Sequence, residues 1–129
     1  MQFLLDTQIL VWSLDNNPRL GADLREILSD AANQVFFSAA SIWELSIKSA
    51  LKKLAFGIGT DRIVQAAAMA GLTELPVFST TAALVAKLPL HHRDPFDRLL
   101  VVQAMANGLT LVTTDPWLPR YTPLVMLIE

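Results

Sequence analysis

The sequence contains no cysteine, which excludes a disulfide framework, a thiolate zinc site and a cysteine nucleophile. The redox compartment is left open by that absence. Long apolar runs are missing too. No stretch approaches the roughly 18 uncharged residues that a membrane-spanning helix requires, and Met1-Gln2-Phe3-Leu4-Leu5-Asp6 lacks the basic flank and length of a secretory signal. The expectation is a soluble cytoplasmic protein with no membrane attachment. Positive charge is also scarce: 10 Lys and Arg against 12 Asp and Glu give a formal net charge of -2. Such a chain has no bulk electrostatic grip on nucleic acid. Arg62, Lys52, Lys53, Lys87 and Arg93 are scattered, as solvated helix faces are, and no aromatic stacking motif for single-stranded RNA stands out. Work on nucleic acid would need local cations, or bound metal ions that reverse the sign of an acidic cleft.

What is present is apolar: 53% of the 129 residues are hydrophobic and 17% charged. That length suits a single domain, residues 1–129, and the apolar excess predicts a surface that meets a partner. Short apolar runs at Phe3–Leu5, Val35–Phe37, Leu75–Phe78, Leu109–Val112 and Val125–Ile128 read as strands. The proline in the third marks it as an edge. Between them, helical patterns run from Asp6-Thr7 to about Leu14, from Leu20 towards Asn33, from Ser38–Ser41 to about Leu54, from Asp61 to Ala70, from Thr80 to Leu88, and from Asp94-Pro95 through Ala106. Strands that are apolar almost throughout and alternate with helices predict an α/β fold: a parallel sheet covered on both faces. No repeat or linker divides it.

In such a sheet, ligands gather beyond the carboxyl ends of the strands. Asp6 ends the first strand and Asp115 follows the fourth. Glu44 lies in the first turns of the helix after the second strand, and Asp97 in the first turn of the helix before the fourth. Taken alone, each has an ordinary explanation. Asp6 can be an N-cap, Asp115-Pro116 a turn, and Asp97 an N3 acid completing the cap begun by Asp94-Pro95. Glu44 can pair with Lys48 one turn on, although it borders an apolar stripe of Trp43, Ile47, Ala50, Leu51 and Leu54 that reads as the buried face. Independent caps have no reason to converge on one edge. Clustered carboxylates repel, and a cation relieves that repulsion. Oxygen ligands favour Mg2+ or Mn2+, ions suited to phosphodiester hydrolysis.

The same positions carry a resemblance. Leu4-Leu5-Asp6-Thr7, Ser41-Ile42-Trp43-Glu44-Leu45 with Lys48, His91-His92-Arg93-Asp94-Pro95-Phe96-Asp97-Arg98-Leu99-Leu100 and Leu109-Thr110-Leu111-Val112-Thr113-Thr114-Asp115 together resemble the PIN-domain ribonucleases of VapC-type toxins. Asp-Pro-Phe-Asp-Arg is the most specific block. The resemblance covers the whole chain. It implies a five-stranded parallel sheet in a three-layer PIN-like fold, an acidic pocket for Mg2+ or Mn2+, and endonucleolytic cleavage of RNA. It also implies a homodimer and a cognate antitoxin that blocks the pocket. On that pattern the catalytic and metal-binding set is Asp6, Glu44, Asp97 and Asp115, with Asp94 left to capping.

Thr7 and Thr113 can support the acids or simply end strands. Arg98 and Lys48 can meet RNA phosphate or pair with nearby acids. His91 and His92, adjacent and without an evident third ligand, read as loop residues rather than a base or a metal site. A PIN-like module that only binds RNA or protein is the alternative, and the presence of all four acids speaks against it. A signalling receiver, which would want paired acids after the first strand and a lysine near the last, does not fit Asp6-Thr7-Gln8 or Val125–Glu129.

Overall fold

In the computed structural model, which describes residues 1–51 and 59–128, the first apolar run is strand β1 (Gln2–Leu5), and helix α1 (Thr7–Leu14) follows at once because Asp6 caps it. Asn17 caps a short 3-10 turn at Pro18–Leu20. Gly21, at φ 83°, then separates that turn from helix α2 (Ala22–Ser29). The single helix expected from Leu20 to Asn33 is therefore a turn plus a shorter helix, since the backbone at Gly21 takes a conformation no helix continues through. Strand β2 (Gln34–Ser38) leads into α3 (Ala39–Ala50), with Ser38 as cap. The expected extension of α3 to Leu54 lies outside the described residues.

Helix α4 (Thr60–Met69), strand β3 (Thr73–Leu75) and helix α5 (Ser79–Ala82), which tightens into a 3-10 stretch at Ala83–Lys87, come next. The third strand thus precedes the predicted Leu75–Phe78 and stops at Pro76, which lacks the N–H a ladder needs. Helix α6 (Pro95–Asn107), strand β4 (Thr110–Thr113) and strand β5 (Val125–Leu127) complete the chain.

The strands form one five-stranded sheet in the order β3-β2-β1-β4-β5, and every pairing is parallel. Alternation along β1 divides the core. Phe3 and Leu5 join Val35, Phe37 and Val112 beneath Ile9 and Leu10 of α1, Leu24 of α2 and Ala67 of α4. Leu4 faces the other way, with Leu111, against Leu100, Val101 and Ala104 of α6. The result is the expected three-layer α/β arrangement, with helices on both faces. No helix among the described residues is long and apolar enough to cross a membrane.

One expectation about α3 is overturned. Its apolar stripe is not the buried face: Trp43 is 62% exposed, Ile47 37% and Leu51 59%. The face turned inward is Ala40, Ser41, Glu44 and Leu45. Trp43, expected in the core, lies edge-on to Phe96, ring centres 5.2 Å apart.

Candidate functional site

Strand register sets the site. Leu5 lies opposite both Phe37 and Val112, so the next residues, Asp6, Ser38 and Thr113, stand at one level on the carboxyl edge of the sheet. Asp6 does two jobs. Its Oδ1 accepts the Ile9 N–H at 2.8 Å, capping α1, while its Oδ2 accepts the Thr113 hydroxyl. That hydroxyl also accepts the Asp115 N–H at 3.0 Å, so one threonine ties two of the acids together. Asp115 is fixed further by the Trp117 N–H on Oδ1, 2.9 Å.

Glu44 is buried, with both oxygens engaged: Thr7 donates to Oε1 at 2.7 Å and Lys48 Nζ lies 2.6 Å from Oε2. The ordinary ion pair and the inward position are both real. Asp97 sits in the first turn of α6 behind the cap, where Asp94 Oδ1 accepts the N–H groups of Phe96 at 2.9 Å and Asp97 at 3.3 Å. Asp94 is thus the capping residue its sequence context suggests.

Asp6, Glu44, Asp97 and Asp115 all line one open cleft of about 610 Å³, together with Thr7, Lys48 and Asp94. They are not equally close. The tight group is Asp97, Asp115 and His92, whose ligand atoms all lie within 4.8 Å of one another, the one such group among the described residues. Asp6 and Glu44 stand on the same cleft without joining that trio.

Two assignments change. His92 is more than a loop residue: its Nε2 is 2.7 Å from Asp115 Oδ2 and 3.6 Å from Asp97 Oδ2. Arg98 is not among the residues lining the cleft, and it pairs with no acid among the described residues. Its guanidinium donates to the carbonyls of Pro89 at 2.9 Å and Val85 at 3.1 Å and to the Tyr121 hydroxyl at 3.2 Å. It is a clamp on the loop before α6, because five fixed donors match clustered carbonyls better than a single phosphate at a distance.

Burial pushes the Asp6 carboxyl up to about 6; the charges of Glu44 and Asp115 add to this, and the Thr113 and Ile9 donors oppose it. Asp97 is pushed up to about 7, again first by burial and then by Asp94, Asp6 and Glu44. Lys48 holds its proton more tightly than usual, chiefly through its hydrogen bond to Glu44. Burial is the first cause of both shifts, and the neighbouring carboxylates add to it.

The family model for the PIN domain matches residues 3–122. The chain belongs to the PIN domain family. Solved structures similar to this PIN domain include VapBC2 from Rickettsia felis bound to a DNA fragment from their promoter. It has 19% identity, covers 99% of this chain and 98% of that one, and gives a TM-score of 0.69. FitAB bound to an IR36 DNA fragment has 23% identity, with 100% and 98% covered and a TM-score of 0.66. FitAcB from Neisseria gonorrhoeae has 24% identity, with 92% and 90% covered and a TM-score of 0.59. These likenesses are of fold. No curated protein matches the chain.

Proposed function

We propose that this PIN domain is a metal-dependent endoribonuclease, the toxin of a toxin-antitoxin pair, with Asp6, Glu44, Asp97 and Asp115 as its acidic set. The observation that carries the reading is geometric: Asp6, Glu44, Asp97 and Asp115 line one open cleft, and burial first, then neighbouring acids, push Asp6 and Asp97 up to about 6 and about 7. The donors suit the ion. They are carboxylate oxygens, which favour Mg2+ or Mn2+, and they border an open cleft rather than a closed cage. Asp97 and Asp115 would hold the ion, with Asp6 and Glu44 on the same cleft. A divalent cation held by these residues would supply a water of lowered pKa and a positive charge beside a phosphodiester.

The chain's own residues prepare that site. Thr113 holds Asp6, Thr7 holds Glu44, and Lys48, partly exposed beside Glu44, offers an ammonium to a phosphate at the cleft. RNA as substrate rests on the resemblance of the Asp94–Arg98 block to VapC-type toxins, and a cognate antitoxin on the likeness to the VapBC2 and FitAB structures. The exposed stripe of Trp43, Ile47 and Leu51 is consistent with a homodimer or another protein partner.

The test is to incubate antitoxin-free protein with structured RNA and either Mn2+ or a chelator. Cleavage is expected only with metal, and is expected to disappear in Asp6→Asn with the fold retained. Cutting that persists in chelator would overturn the reading.

A further inference from the structure

We propose that His92 is a positioning residue that aims Asp115 through its Nε2–H rather than ligating the ion itself, an inference that rests on the metal-binding reading above. The imidazole is bonded on both sides. Nδ1 lies 2.9 Å from the Asp94 backbone N–H, which can only donate, so Nδ1 must present its lone pair there. The ring proton is therefore on Nε2, an assignment that follows from the hydrogen-bond network. Nε2 then donates to Asp115 Oδ2 at 2.7 Å. A nitrogen that carries this proton has no lone pair for a metal, so proximity alone misleads. Of the trio, Asp97 and Asp115 are the ligands and His92 the support.

The surroundings hold the ring in that role. The His92 N–H donates to the Tyr121 hydroxyl at 2.8 Å, and the His91 N–H reaches the same oxygen at 3.1 Å. Arg98 ties the loop down through the Pro89 carbonyl and that hydroxyl. Asp115 needs such support because it lies in a turn beyond β4 with its side chain 23% exposed. The Trp117 N–H on Oδ1 and the His92 Nε2–H on Oδ2 pin both ends of the carboxylate, and each oxygen keeps further acceptor capacity for an ion. Outer partners of this kind fix the orientation of a ligand and commonly alter metal affinity 10- to 100-fold when removed.

Two substitutions divide the imidazole into halves. His92→Gln places an amide N–H near the Nε2 position and gives up the Nδ1 acceptor. His92→Asn keeps an acceptor near Nδ1 and gives up the Nε2 donor. Mn2+ dissociation constants would be measured by EPR on the full chain without RNA, with circular dichroism confirming the fold. His92→Asn is expected to weaken Mn2+ binding by about tenfold, and His92→Gln to remain within about threefold of wild type, which a packing role alone would not produce. Pulsed EPR of wild type with Mn2+ is expected to show no directly coordinated imidazole nitrogen, a measurement that needs no variant. Unchanged affinity in folded His92→Asn, equal losses in both folded variants, or a coordinated nitrogen in wild type would overturn the assignment. A wild type that binds no Mn2+ would remove the metal reading itself, and the role of His92 with it.

Discussion

Replacing Asp97 by asparagine should make the metal-free protein more stable while abolishing its function. In the folded chain the Asp97 carboxyl is raised from 3.8 to about 7, which at about 1.4 kcal/mol per tenfold change caps the cost of ionising it at about 4 kcal/mol. Its side chain is 19% exposed and it shares the cleft with other acids, so a recoverable part of about 1 to 3 kcal/mol is reasonable. A raised carboxyl stabilises the fold only at low pH. The cost is absent below the unfolded value, grows as pH rises, and is complete above about 7. Asparagine removes it and still fits the start of α6. Urea denaturation in chelator should therefore show Asp97→Asn ahead of wild type at about pH 8, with the advantage fading towards about pH 4. Mn2+ should stabilise wild type and leave the variant unmoved. A variant less stable than wild type at the higher pH, or one whose advantage is the same at both, would refute the electrostatic account.

Other consequences follow from the same geometry. Metal affinity should climb between about pH 5 and about pH 8 as Asp6 and Asp97, raised to about 6 and about 7, give up their protons, and calorimetry should detect those protons released on binding. Pulled-up acids that bind metal equally at both ends of that range would contradict this. Thr113→Val removes the hydroxyl that donates to Asp6 and accepts the Asp115 N–H. It should cost about 1 to 3 kcal/mol in urea and push Asp6 higher still, weakening Mn2+ binding at neutral pH; equal affinity would show the threonine to be idle. Arg98→Lys should destabilise the chain by about 2 kcal/mol, because lysine cannot serve several carbonyls at once. Loss of RNA binding with stability intact would instead restore Arg98 to the phosphate contacts.

The parts of this structure legible in the sequence are those whose causes are local. Asp94-Pro95 announces α6 because an N-cap and a proline at the first position act within one turn, and Asp6 announces α1 in the same way. The convergence of acids at the carboxyl ends of the strands followed from the parallel-sheet pattern, which register makes concrete at Leu5, Phe37 and Val112.

Periodicity served less well on α3. It identifies an apolar stripe but not what covers it, so the pattern places Trp43 inside while the helix in fact turns Ala40, Ser41, Glu44 and Leu45 inward. Glu44 is buried, but on the face of Ala40, Ser41 and Leu45 rather than beside the apolar stripe. His92 was hidden for another reason: its partner Asp115 is 23 residues away, and only the fold of the loop before α6 brings them together. The one local signal was the position of His92 two residues before the Asp94 cap, where a side-chain acceptor can meet a backbone N–H.

The most direct measurement is anomalous diffraction from a crystal of the antitoxin-free protein soaked in Mn2+. The account predicts a single strong peak in the cleft, bonded to carboxylate oxygens of Asp97 and Asp115, with the His92 ring still hydrogen-bonded to Asp115. A fully soaked crystal with no peak there, or with manganese only at surface acids outside the cleft, would contradict it.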